Sequence, residues 1–289
     1  MNTSLEHLSA AQRQQLEKAV EIISLAIRPE KIILFGTYGA AGDAHLIQVM
    51  RSLPATISAF DLLIVTREGE RRSDYELQDI IESRCREEVA ITALVHDIAY
   101  VNKRVMEGQY FFSTLLLEGT LLYDARRISL AKAVVPDLEA VRRLAEKDFG
   151  RWMRQARDFF QSAEFIGSKN GWNTATFMLH QAAEQCYQAI LLAFTGYKPT
   201  THNLDKLRRY TNRFSIELAL LFPLDNADEE TIFHLLASGY VSARYKEEFM
   251  ITGNQVEILT ERIRRLLDIA VRVCCNHFAS LSKRAGRGC

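Results

Sequence analysis

The chain has 289 residues, 48% of them hydrophobic and 25% charged, ordinary values for a globular protein near twice the usual domain size. No uncharged apolar run reaches about 18 residues, and the first residues lack the apolar core of a secretory leader, so neither a membrane-spanning helix nor secretion is expected. The formal net charge is zero, but residues 1–125 hold 12 Lys+Arg against 18 Asp+Glu, net −6, and residues 126–289 hold 24 against 18, net +6. That asymmetry points to two domains, the second better suited to meet phosphate or nucleic acid. The balance is too mild to establish nucleic-acid binding. Five cysteines (Cys85, Cys186, Cys274, Cys275, Cys289) include no C-x-x-C pair. A zinc site is therefore not expected, and reduced thiols in a cytoplasmic protein are.

In chain order, Ser9 stands before a helical pattern carried by Leu16, Val20, Ile23 and Ile27, which Pro29 closes. KIILF (31–35) reads as a strand, broken by GTYGAAGDA (36–44). FDLLIV (60–65) reads as a buried strand, SDYELQDIIESRCREE (73–88) as a capped, charged helix, and VAITALVH (89–96) as a third strand. Residues 98–118 are mostly helical, with Asp97 placed to cap a helix over 98–107, and GTLLYD (119–124) is placed to return as an edge strand. Beyond about residue 130 the pattern is helical. Phe149, Trp152, Met153, Ala156, Phe159, Phe160 and Ala163 recur at spacings of three and four. A long helix over 173–196 stops at Gly196, THNLDKLRRY opens another, a further one covers 228–248, and Val256, Leu259, Ile263, Leu266, Ala270 and Val273 run along the last. Long amphipathic helices with short loops make an antiparallel bundle. The expected fold class is α+β: a small mixed sheet with helices over residues 1–127, then an all-α bundle over 128–289.

The chemistry of the first half centres on Gly36-Thr37 after one strand and Asp61 on the next. A glycine there lets backbone approach a phosphate, a hydroxyl can bond a phosphate oxygen, and a carboxylate can hold Mg²⁺. These stretches resemble the minimal nucleotidyltransferase domain of the polymerase-β superfamily: strand, Gly-Ser, variable loop, then Ser-Asp-x-Asp-Leu-Leu-Val. This chain offers Gly36-Thr37 and Ser58-Ala59-Phe60-Asp61-Leu62-Leu63-Ile64. The resemblance implies nucleotide binding at Gly36, Thr37 and Asp61, with Asp61 the metal ligand and Mg²⁺ with a nucleoside triphosphate as cofactor, weak or absent. Ala59 stands where the family has its first carboxylate, and no acid stands at Ala90–Thr92, where the third is expected. A clamp on two metals needs more than one carboxylate. Asp43, His45, Glu87 and Glu88 are the nearest replacements in sequence.

The second half resembles the HEPN family in three stretches: HQAAEQCYQAILLAFTG (180–196), KPTTHNLDKL (198–207) and YVSARYKEEF (240–249). The resemblance marks Glu184, His202, Arg244 and Tyr245 as motif residues. It implies pairing of two copies through the bundle and, in some members, metal-independent RNase activity from an Arg followed four to six residues later by His. Arg244 has no such His, since 249–251 are Phe, Met and Ile. The literal match, Arg272 to His277, sets its side chains about 140° apart around a helix, and chance is the better reading. Glu184 is expected to pair with an arginine, Arg244 being the candidate, and His202 to bridge a turn. Arg143, Lys147, Arg151 and Arg154 share one helix face and are candidate phosphate contacts. Together these readings predict a cytoplasmic, homodimeric nucleotide-binding or regulatory protein of the toxin–antitoxin or defence type, with nucleotide or RNA as partner. The alternatives are an active nucleotidyltransferase, acting on a small molecule or protein, and a HEPN ribonuclease.

Overall fold

The computed structural model describes residues 2–37, 60–240 and 250–286. The chain divides into two compact units, Met1–Pro136 and Asp137–Cys289. The fold class is α+β, with the sheet confined to the first unit and the second wholly helical.

In the first unit, α1 (Ala10–Ile27) starts at a capping box between Ser9 and Gln12 and ends at Arg28 in the left-handed region. The strands β1 (Lys31–Thr37), β2 (Phe60–Thr66), β3 (Ile91–Asp97) and β4 (Thr120–Asp124) form one sheet in the order β3-β2-β1-β4. β2 and β3 run parallel, and the other pairs are antiparallel. The parallel crossover is carried by α2 (Asp74–Cys85), opened by a Ser73–Glu76 capping box. Alternation along the strands divides the sheet by face. Ile32, Leu34, Phe60, Leu62, Ile64, Ile91, Ala93 and Val95 join Leu16, Ala19, Ile23, Leu77 and Ile81 in one core. The side chains of Ile33, Asp61, Leu63, Thr92 and Leu94 stand on the other face by the same alternation.

The mostly helical stretch over 98–118 holds α3 (Ile98–Met106), capped by Asp97, and α4 (Tyr110–Glu118). Gly108, at φ 68°, makes the break between them. The edge strand β4 is pinned to β1 by buried Lys31, whose Nζ lies 2.5 Å from Asp124 Oδ1. Past β4 the chain stays with this unit: Arg127 pairs with buried Glu30 at 3.1 Å, and Asn102 holds the carbonyl of Ser129 and the amide of Ala131. These tethers explain why the division falls at Pro136, several residues beyond the expected 127.

The second unit is built on α5 (Leu138–Gly167), α6 (Trp172–Thr195) and α10 (Gly253–Ala285). Between them lie α7 (Leu204–Asn212), α8 (Ile216–Leu221) and α9 (Ala227–Ser238). α6 is buried over two thirds of its residues and ends at Gly196, φ 61°. α9 ends at Ser238; Gly239 packs so closely on Thr176 that a Cβ would lie 3.2 Å from its carbonyl oxygen, and the rest of the helix expected over 228–248 lies mostly outside the described residues. Arg208 on α7 is fully buried, bonded to Asp205 at 2.8 Å and to the carbonyl of Phe222 at 3.2 Å, with its guanidinium over Phe233. Cys85, Cys186 and Cys274 are buried free thiols, and Cys275 is exposed. Among the described residues, no helix is long and apolar enough to cross a membrane.

Candidate functional site

In the first unit, the site expected from sequence is a junction of three strands. Gly36 and Thr37 do not follow β1 but end it, because a register shift at Phe35 sets Gly36 opposite Asp61 and Thr37 opposite Phe60. On the other side Asp61 pairs with Thr92 of β3. Asp61 is 1% exposed. A Cβ built on Gly36 would strike the Asp61 carboxylate, so glycine makes room for that side chain. The position beside Asp61 on β3, where a transferase would carry another carboxylate, holds the hydroxyl of buried Thr92. Glu87 and Glu88 lie exposed in the turn before β3, and Glu88 is 3.9 Å from Lys18 of α1. Asp43, His45, Ser58 and Ala59 lie outside the described residues. Among those described, no group of three His, Cys, Asp or Glu gathers to hold a metal.

The second unit brings together residues that sequence spacing only partly revealed. Glu184, on buried α6, is expected to pair with an arginine, yet its described partners are different. His202 Nδ1 lies 2.9 Å from Glu184 Oε1, the Gln181 amide donates to Oε2 at 3.4 Å, and His180 Nε2 stands 3.7 Å from Oε2. Arg244 and Tyr245 lie outside the described residues. His180 Nδ1 lies 2.9 Å from the carbonyl of Leu236, so Nδ1 carries the proton; Nε2 is buried without a hydrogen-bond partner. Burial pushes the Glu184 carboxyl up, but the facing imidazoles of His180 and His202 outweigh it and hold its pKa below the ordinary range.

Tyr240 completes the cluster, its ring parallel to His202 within 9° at a centroid separation of 6.5 Å, and 5.6 Å from His180. Gly239 allows this position by its close approach to Thr176. His180 and Tyr240 are missing from the sequence reading of the site. The available signal was a histidine one helical turn before Glu184 in an otherwise apolar helix.

The remaining expected residues do not converge. Arg143, Lys147, Arg151 and Arg154 all lie exposed on α5. Arg143 is 3.8 Å from Glu139, and Arg151 lies over Trp152 at 5.4 Å. Arg272 is held by both oxygens of Glu217, at 2.5 and 2.6 Å. His277 stacks on Phe194 at 4.1 Å, and burial, then Arg284, lowers its pKa. The literal Arg–x4–His match is therefore two separate structural contacts.

A bundle of this form, with the QAAE helix and the Thr-His-x-Leu turn joined by the Glu184–His202 contact, has a counterpart among known families. Residues 149–274, within the helical unit, match the HEPN domain family. No curated protein matches the chain. Among solved structures, a nucleotidyltransferase-like protein from Exiguobacterium sibiricum is similar at 12% identity, covering 90% of this chain and 76% of that one, with a TM-score of 0.26.

Proposed function

We propose that this protein is a nucleotide-binding regulatory protein: a nucleotidyltransferase-like unit short of catalytic carboxylates, joined to a HEPN domain. The observation that carries the reading is the junction of Gly36, Asp61 and Thr92. Gly36 leaves room for the Asp61 carboxylate beside it, so one carboxylate is kept, but a hydroxyl stands where the next is expected. Asp61 would meet a Mg²⁺ ion brought in on a triphosphate, with Gly36 and Thr37 beside the phosphates. A lone carboxylate supports binding better than transfer, because the attacking hydroxyl lacks its positioned base. The partner classes in keeping with this are nucleotides and RNA, the latter along Arg143, Lys147, Arg151 and Arg154. Toxin–antitoxin or defence regulation in the cytoplasm, as a homodimer through the bundle, is the setting we propose. The ribonuclease alternative draws no support from Arg272 and His277, which are engaged elsewhere.

Titration calorimetry with a panel of nucleoside triphosphates, with and without Mg²⁺, tests the reading. Binding is expected, weakened at least about tenfold by Asp61→Ala, the scale of one charge-assisted contact. Heat-silent titrations across the panel would refute it, and transfer of a nucleotide to an acceptor would favour the transferase.

A further inference from the structure

The contact between an exposed imidazole and a buried carboxylate has a chemistry of its own, independent of the nucleotide reading. The His202 side chain is 69% exposed, and the Glu184 carboxylate behind it is 6% exposed. Glu184 accepts at 2.9 Å from Nδ1, so Nδ1 carries the proton and Nε2 presents its lone pair outward. The loop that bears the ring is fastened. The Gln188 amide donates to the carbonyls of Pro199 and Thr201 at 3.5 and 3.4 Å, and Asn203 caps α7 through the Lys206 amide at 3.0 Å. The imidazole is thus held in one orientation before any reaction.

Behind the carboxylate stands a second feature. His180 Nδ1 lies 2.9 Å from the Leu236 carbonyl, and its Nε2 stands 3.7 Å from Glu184 Oε2. A buried carboxylate favours positive charge nearby. Charge developing on the His202 ring as Nε2 forms a bond supplies it. Four residues earlier on the same loop, exposed Lys198 lies over Trp152 at 5.1 Å, and Arg151 lies over the same indole at 5.4 Å. A general base acts on a substrate held between walls, whereas this ring is open to solvent and reachable by a diffusing donor.

We infer that His202 is a nucleophilic site whose Nε2 accepts a phosphoryl group from a phosphoramidate or phosphoanhydride donor. The Nε2 lone pair forms the new nitrogen–phosphorus bond while the bond from phosphorus to the leaving group breaks. With phosphoramidate, ammonia leaves with the bonding pair; with a phosphoanhydride, the remaining phosphate leaves with it. Nδ1 keeps its proton, and the positive charge of the phosphorylated ring faces Glu184.

The test treats the full chain with phosphoramidate near neutral pH and maps the product by mass spectrometry. The expected product is one acid-labile, alkali-stable phosphoryl group on His202. His202 should be labelled at least about tenfold faster than His7 and His234, the rate equivalent of one pKa unit of electrostatic support. His7 and His234 are surface histidines in the same sample. His202→Gln should abolish the fast label. Glu184→Gln should reduce His202 to the reference rate, and Glu184→Asp should give an intermediate rate. Labelling of His202 no faster than of His7 and His234 would overturn the inference, a comparison made within the wild-type chain and independent of any variant's folding. So would an unchanged rate in a Glu184→Gln protein whose circular dichroism matches wild type.

Discussion

Gly36 and Asp61 form a pair in which one residue's smallness is the other's space. Gly36→Ala should destabilise the first unit by about 1–3 kcal/mol, the usual cost of overpacking. The loss should shrink in an Asp61→Gly background, because the collision is with that carboxylate. Thermal melts of the four proteins in this cycle provide the check; additive losses would rule out the collision. Glu184 adds a pH dependence with a definite sign. Its folded pKa lies below the ordinary 4.5, so its contribution to stability is present above that value and fades as pH falls through the folded pKa. Between pH 7 and 3 the melting temperature of Glu184→Gln should decline less than that of wild type. At this scale the sequence was partly legible. Asp61 and Glu184 stood out because a charge in an apolar run needs a reason. His180 did not, since a histidine among apolar residues on a helix resembles an ordinary core position until the carbonyl of Leu236 and the carboxylate of Glu184 are placed beside it.

Elements with chemical punctuation were read well: Ser9, Ser73 and Asp97 as helix starts and Gly196 as a stop. Their side chains, or the glycine's left-handed backbone, act on the nearest turn and need no tertiary context. What escaped depended on partners distant in sequence. Gly36 and Thr37 read as loop because only pairing with β2 makes them strand. α8, six residues long, is too short to show a period. α7 illustrates the same dependence energetically, since its one fully buried arginine serves Asp205, the Phe222 carbonyl and the Phe233 ring at once. Arg208→Ala should cost about 3–5 kcal/mol, because it strips a carbonyl and a carboxylate of a buried partner and opens a cavity. Chemical denaturation of the full chain would show it; a loss below about 1 kcal/mol would mean that these contacts contribute little.

On the scale of the whole molecule, the two units have separate cores. The charge division near residue 125 foreshadowed this, while the place of the boundary depended on Asn102 and Glu30 holding the chain beyond β4. The buried cysteines fall on both sides of the division: Cys85 in the first unit, Cys186 and Cys274 in the second. Burial raises all three thiols, Cys85 to about 11 and the other two further. Each is therefore doubly protected from an alkylating reagent, by lack of access and by scarcity of thiolate. Cys275 is open to the reagent from the start. Pulsed alkylation along a denaturant series should modify Cys275 at once. Cys85 should then follow the opening of the sheet, and Cys186 and Cys274 together that of the bundle. Coincident curves for all three would mean that the units unfold as one. The chain thus carries in its own thiols a separate clock for each half, readable by mass without any added label.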